Sequence, residues 1–117
     1  MGKVVVMQKK LIVKEHFYYN FESVLEYTVI TFGSVVAKKF KNKALSAIKK
    51  LPKQYAIYPK NRFLLSTDEK TYRNIILNSY YIVFSVTSNS IIVLDIIYQG
   101  RNPDTIVKII ENTENKN

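Results

Sequence analysis

Apolar and polar positions change their spacing several times along the chain, and each change marks an element. Between residues 3 and 14 the apolar positions fall in two runs, Val4-Val5-Val6 and Leu11-Ile12-Val13, mostly β-branched. Branching at Cβ suits a pleated strand, so this stretch reads as extended, either one strand broken near 8–10 or two pieces. From residue 15 the spacing turns helical. Phe17, Phe21, Val24, Leu25, Thr28 and Phe32 share one face of a 3.6-residue period, with Glu15, Glu22 and Glu26 off it. Gly33 then offers a left-handed helix end, and Ser34 a side chain suited to capping a second helix. That helix is predicted over 35–51, with Val36, Phe40, Ala44, Ala47, Ile48 and Leu51 as its apolar stripe and Pro52 as its stop. So short a turn makes the two helices an antiparallel αα-hairpin.

Residues 53–71 hold no period, although Phe63-Leu64-Leu65 within them calls for burial. Three strands follow, at 72–77, 80–86 and 90–98, rich in Ile, Val and Tyr and separated by Asn78-Ser79 and Thr87-Ser88-Asn89. Loops this short make an antiparallel meander. A short last helix is predicted over 104–112, capped by Asn102 or Asp104, and the polar stretch 111–117 is expected to fray. Helices segregated from a meander specify an α+β fold in one domain over residues 1–112. Its N-terminal strand joins an edge of a mostly antiparallel sheet, and the αα-hairpin packs on one face.

Composition removes several chemistries. With no cysteine, disulfides and thiol catalysis are excluded, and with the single histidine His16 there is no multi-histidine metal site. Three glycines are too few for a phosphate-cradling loop, so neither metal nor cofactor is expected. The longest apolar runs, such as 4–7 and 91–94, are far too short to span a bilayer, and no export signal opens the chain. A cytoplasmic protein without membrane contact is the expectation. The net charge of +9, from 18 Lys and Arg against 9 Asp and Glu, favours an acidic or polyanionic partner. Half of the basic residues lie between positions 33 and 67, where there is no acid. Among them Lys38, Lys41, Lys49, Lys60 and Arg62 are the candidates for a docking surface, the competing reading being a solvated helix face.

In this order the segments resemble the RelE/ParE superfamily, the toxins of bacterial type II toxin–antitoxin pairs, also known as plasmid stabilisation proteins. The resemblance rests on four pieces: the helix that closes at Phe32-Gly33-Ser34, the next helix ending in Leu51-Pro52, the pair Tyr72-Arg73-Asn74-Ile75-Ile76 and Tyr80-Tyr81-Ile82-Val83-Phe84, and the closing strand with its basic loop, Ile91 to Pro103. It covers about residues 11–104. It implies a small sheet packed against a helical hairpin, and an antitoxin partner that wraps an often acidic segment over the toxin. RelE-like members cut messenger RNA in the ribosome, whereas ParE-like members poison DNA gyrase and make no cut. RelE-like toxins usually carry Arg where this chain has Tyr81, and many relatives carry His where it has Tyr98. Arg73 and Arg101 do match recurring basic positions of the family, and the long hairpin is the more ParE-like feature.

The resemblance therefore implies a ParE-like growth-arresting toxin that inhibits gyrase and is neutralised by a cognate antitoxin. The alternatives are a RelE-like ribosome-dependent endoribonuclease and a non-toxic binding module of the same fold. A metal-free ribonuclease needs charge stabilisation and proton transfer at a phosphodiester, for which Arg101, Arg73, Tyr81 and Tyr98 are the catalytic candidates. The competing readings are sheet packing for Tyr81 and Tyr98 and a surface cross-strand pair for Arg73. His16, at a helix N-terminus that disfavours its cation, reads as a surface or packing residue. Tyr18, Tyr19, Tyr27, Tyr55 and Tyr58 read as anchors that a partner protein would bury.

Overall fold

The computed structural model describes residues 9–115. Strands β1 (Lys10–Val13), β2 (Thr71–Leu77), β3 (Tyr80–Val86) and β4 (Ser90–Tyr98) form one sheet in the order β1-β4-β3-β2. Helices α1 (Glu15–Phe32) and α2 (Ser34–Gln54) make the hairpin, a 3-10 turn (Tyr55–Ile57) follows α2, and α3 (Pro103–Glu114) comes last. The meander is antiparallel throughout. β1 joins its β4 edge in parallel, pairing Lys10 with Ser90 through Val13 with Val93, so the sheet is mixed. The part of the predicted first strand at 3–8 lies outside the described residues.

Both faces of the sheet are covered. On one, Phe17 and Phe21 of α1 and Phe40, Ala44, Ile48 and Leu51 of α2 pack on Ile75, Ile82, Phe84, Ile91, Val93 and Ile96. Phe17 stacks on Phe21 with centroids 5.3 Å apart, and Phe21 meets Phe40 at 6.2 Å, which ties the two helices together through aromatic contacts. On the other face Ile106 and Ile110 of α3 pack on Val83, Leu94 and Ile97, joined by Leu64 from the long loop. Leu65, by contrast, is exposed. Only one of the adjacent leucines points at the sheet, because successive side chains of an extended loop diverge.

The helix ends depart from the sequence reading in instructive ways. Gly33 takes φ +93°, and its N–H donates to the Val29 carbonyl at 2.9 Å. It serves α1 and α2 at once as terminus and N-cap, so Ser34 is already helical and makes no side-chain cap. Pro52 does not stop α2, which runs on through Gln54. In a last turn proline forfeits only one backbone bond, so the helix tolerates it there. The α2 stripe is shifted as well: Ala37 is buried, whereas Val36 is exposed, as is Phe32 at the end of α1. The hairpin overshoots the sheet, so its last turns have nothing beneath them. α3 starts with Pro103 after Asn102, whose side chain accepts the Asp104 N–H at 2.8 Å. It continues to Glu114, into the stretch expected to fray, because Thr113 is buried and Glu114 accepts hydrogen bonds from Lys70 (2.9 Å) and the Tyr72 hydroxyl (2.7 Å).

Two irregularities of β4 place the site. The register with β3 slips between Val83, which faces Asp95, and Phe84, which faces Val93, so Leu94 is an extra residue in a β-bulge. In addition, β1 pairs with β4 only as far as Val93. Beyond it, that edge of β4 has no strand partner among the described residues.

Candidate functional site

α1 stands over this open edge of β4. His16, Asn20, Val24 and Tyr27 recur at three- and four-residue spacing, which puts them on one helical face. With Tyr80, Asp95, Tyr98 and Arg101 they line an open groove of about 400 Å³. At its floor lies Asp95, 1% exposed. Its Oδ1 accepts from Asn20 Nδ2 at 2.8 Å and from the Ile96 backbone N–H at 2.8 Å, and its Oδ2 lies 3.4 Å from His16 Nε2. Asn20 Nδ2 also approaches His16 Nε2 at 3.2 Å.

The bulge explains how a carboxylate reaches this position. Val93 and Ile96 both belong to the hairpin-facing core although three positions apart, so the alternation shifts by one between them. Asp95 falls at the shift and turns to the amide and imidazole of α1. Burial raises its pKa above the ordinary carboxylate value, while Asn20, the Ile96 N–H, His16 and Arg101 draw it back down. The trio fastens the start of α1 to the middle of β4.

At the outer end of the groove, Tyr98 packs edge-on against Tyr80 with centroids 6.0 Å apart. Burial, then Tyr27 and Tyr98, raise the Tyr80 phenol pKa. A Cβ at Gly100 would collide with the Tyr98 ring, so glycine is what lets the ring fold over the turn. Arg101 follows in that turn, exposed and without an ion-pair partner among the described residues.

The four catalytic candidates do not form one site. Tyr98 and Arg101 lie in this groove. Tyr81 packs with the α3-side core, on the opposite face of the sheet, because neighbours along a strand point opposite ways. Its hydroxyl is buried beside Asn61, and burial raises its pKa while Asn61 and Arg62 draw it back down. It borders a smaller pocket of about 260 Å³ with Lys60, Asn61, Arg62, Asn74 and Gln99. Asn61 is the pin of that pocket: it is buried, donates to Asn74 Oδ1 at 3.0 Å and accepts the Phe63 and Leu64 N–H groups. Arg73 donates from Nη1 to the Tyr58 carbonyl at 2.6 Å, where Lys60 bridges to β2.

The candidate binding residues divide likewise. Lys38, Lys41 and Lys49 are exposed on α2, whereas Lys60 and Arg62 belong to the pocket beside β2. Tyr18, Tyr19 and Tyr27 are exposed along α1, and Tyr55 and Tyr58 are half-buried. Among the described residues no group of three His, Asp or Glu could hold a metal, and no helix is long and apolar enough to cross a membrane.

His16, Asn20 and Asp95 escaped the sequence reading as a unit. One signal was present: Asp95 is the lone acid within the apolar run 91–97, and a charge in such a run needs a partner.

A family model described as ParE toxin of type II toxin-antitoxin system, parDE, matches residues 14–103. No curated protein sequence matches. Among solved structures, a chain of the chromosomal ParDE TA system from P. aeruginosa is similar, with TM-score 0.61 and 15% identity, covering 78% of this chain and 96% of that one. A chain of the archaeal RelE-RelB complex from Pyrococcus horikoshii OT3 aligns with TM-score 0.44 and 15% identity, covering 82% of this chain and 100% of that one.

Proposed function

Because this chain belongs to the ParE toxin family of type II toxin–antitoxin systems, we propose that it is the toxin of such a module, that it arrests growth by inhibiting DNA gyrase, and that a cognate antitoxin neutralises it. The family match over residues 14–103 carries the reading. The division of Arg73, Tyr81, Tyr98 and Arg101 between two faces and a structural tether supports the branch that does not cut RNA.

The groove under α1 is the place for the antitoxin. It offers half-exposed Tyr27 and Tyr98 as apolar anchors beside the exposed Arg101. The +9 charge suits an acidic partner and speeds its capture.

A second reading, RelE-like messenger RNA cleavage, draws on one observation. The buried Tyr81 hydroxyl borders a pocket that also holds Lys60 and Arg62. One experiment separates the two. The chain is induced alone in a bacterium, then together with the neighbouring gene. Growth arrest relieved by the neighbour, with replication blocked and plasmid supercoiling altered, is the expected result. Codon-positioned cuts in a reporter transcript, lost in Tyr81→Phe, would replace gyrase with the ribosome as target. Harmless expression would overturn both and leave a binding module.

A further inference from the structure

The outer face of α2 carries a run of like charge that neither the groove nor the pocket beside β2 uses. From residue 38 to residue 53 every exposed residue is a lysine except Asn42 and Ser46, and the helix holds no acid. At about 100° per residue, Lys38, Lys39, Lys43, Lys49, Lys50 and Lys53 fall within an arc of about 140°. That arc lies opposite the buried stripe of Ala37, Phe40, Ala44, Ile48 and Leu51, and Lys41 flanks it. The six lysines span about 22 Å of helix, at about 1.5 Å per residue.

A face that only solvates a helix mixes its signs, because opposite charges four residues apart attract. Here Lys39 stands four residues from Lys43, and Lys49 four from Lys53, so the neighbours repel. None of these lysines has an ion-pair partner among the described residues, and Glu15, Glu22 and Glu26 of α1 pair with none of them. The face is also bare of anchors. Between residues 38 and 53 it exposes no apolar or aromatic side chain, whereas Tyr18, Tyr19 and Tyr27 are exposed on α1. An ordered protein partner draws most of its affinity from such anchors. A phosphodiester backbone needs only cations spread along its length.

We propose that this face docks on the phosphate backbone of duplex DNA without reading its sequence. Lysine supplies point charges rather than the bidentate forks that read base edges, so contact stops at the phosphates. Duplex DNA carries one charge per about 1.7 Å, so about 13 lie along the lysine run, and a straight helix reaches those on its own side, about five or six. A single strand fits less well, because its unstacked bases seek aromatic platforms and the face has none. The choice of DNA rests on the gyrase reading, in which duplex DNA lies beside the target. The antitoxin groove under α1 plays no part in it.

The test is fluorescence anisotropy of a labelled duplex of about 20 base pairs, titrated with the purified full chain without gyrase, from about 50 to about 300 mM salt. A dissociation constant of about 1–100 μM at physiological salt is expected, the same for two unrelated duplex sequences. Log K should fall against log salt with a slope of about −4 to −5. Lys39→Gln, Lys43→Gln and Lys50→Gln together should weaken binding at least about 10-fold and reduce that slope by about 3. Lys50→Glu should weaken binding about 3–10-fold more than Lys108→Glu, which makes the same change in net charge at an exposed position of α3. Circular dichroism melts confirm that the variants fold. Equal losses from Lys50→Glu and Lys108→Glu overturn the proposal, since net charge alone would then be acting. Absence of binding at physiological salt overturns it too. Tighter binding of a single-stranded RNA of the same length replaces DNA with RNA, and tighter binding of polyglutamate replaces it with an acidic protein; either result sinks the assignment. Because gyrase is absent from the assay, a negative result leaves the gyrase reading standing, and a failed gyrase assay beside intact DNA binding strikes that reading alone.

Discussion

Replacing Asn20 with alanine tests whether the buried carboxylate organises the groove. Asn20 is the side-chain donor to Asp95 Oδ1 at 2.8 Å, and Asp95 is 1% exposed, so water does not readily take its place. A hydrogen bond to a charged group contributes roughly 1.5–3 kcal/mol. The groove is open on its outer side, which favours the lower part of that range, about 2 kcal/mol. For a chain of this length the unfolding entropy is about 0.25 kcal/mol per kelvin, so Tm should fall by about 8 °C at pH 7. The loss also depends on pH. Burial raises the folded pKa of Asp95 above its ordinary 3.8. Above that folded value the carboxylate is charged and needs the amide. As pH falls through it the group becomes neutral and the loss shrinks, to about 1 kcal/mol for an ordinary hydrogen bond. Urea titrations of wild type, Asn20→Ala, Asp95→Asn and the double variant at neutral and acid pH measure both effects. With Asp95→Asn in place, Asn20→Ala should cost less than about 1 kcal/mol. A cost below about 0.5 kcal/mol at pH 7, or one equal at both pH values, would refute the reasoning.

Arg73→Ala should lower stability by about 1–2 kcal/mol, since it removes the tether to the Tyr58 carbonyl, whereas Arg101→Ala should leave Tm within about 2 °C; chemical denaturation of both variants checks the contrast. If Arg101 serves the target, its alanine variant loses growth arrest at unchanged stability, which a spot assay reads. Gly33→Ala should cost about 1–2 kcal/mol, because φ +93° strains any side chain although nothing lies near the added Cβ, and a Tm drop of about 4–8 °C would register it. Tyr72→Phe removes the hydroxyl that donates to Glu114 at 2.7 Å. Burial and Glu114 hold the Tyr72 pKa above the ordinary 10.0, so the wild type loses stability as pH rises above 10 and the variant should lose less, a difference that base titration followed by circular dichroism detects.

The hairpin and the meander were legible because helical and two-residue periods are local properties of the chain. Phe17, Phe21, Phe40, Ile48 and Leu51 fell on the buried faces where the spacing put them, and Asn102 caps α3 as its side chain suggested. Val36 and Phe32 misled because periodicity tells which way a residue points along its own helix, not whether a sheet lies beneath it. The structure divides Arg73, Tyr81, Tyr98 and Arg101 for a related reason: positions close in sequence on paired strands can lie on opposite faces, as Tyr80 and Tyr81 do. The contact between His16 and Asp95 spans about two-thirds of the chain and depends on a one-residue slip that no local pattern announces.

That slip has a consequence for how much β4 can change. Eight of its residues, 91–98, are stretched across seven of β3, and Leu94 is the surplus. A chain shortened by that single position would pair without a kink and swing the aspartate toward Val83 and the oily layer under α3, where no amide waits for it. The extra link is thus a hinge pin for polarity: it lets one ribbon keep hydrocarbon on both of its sides while steering its only charge into the helix above.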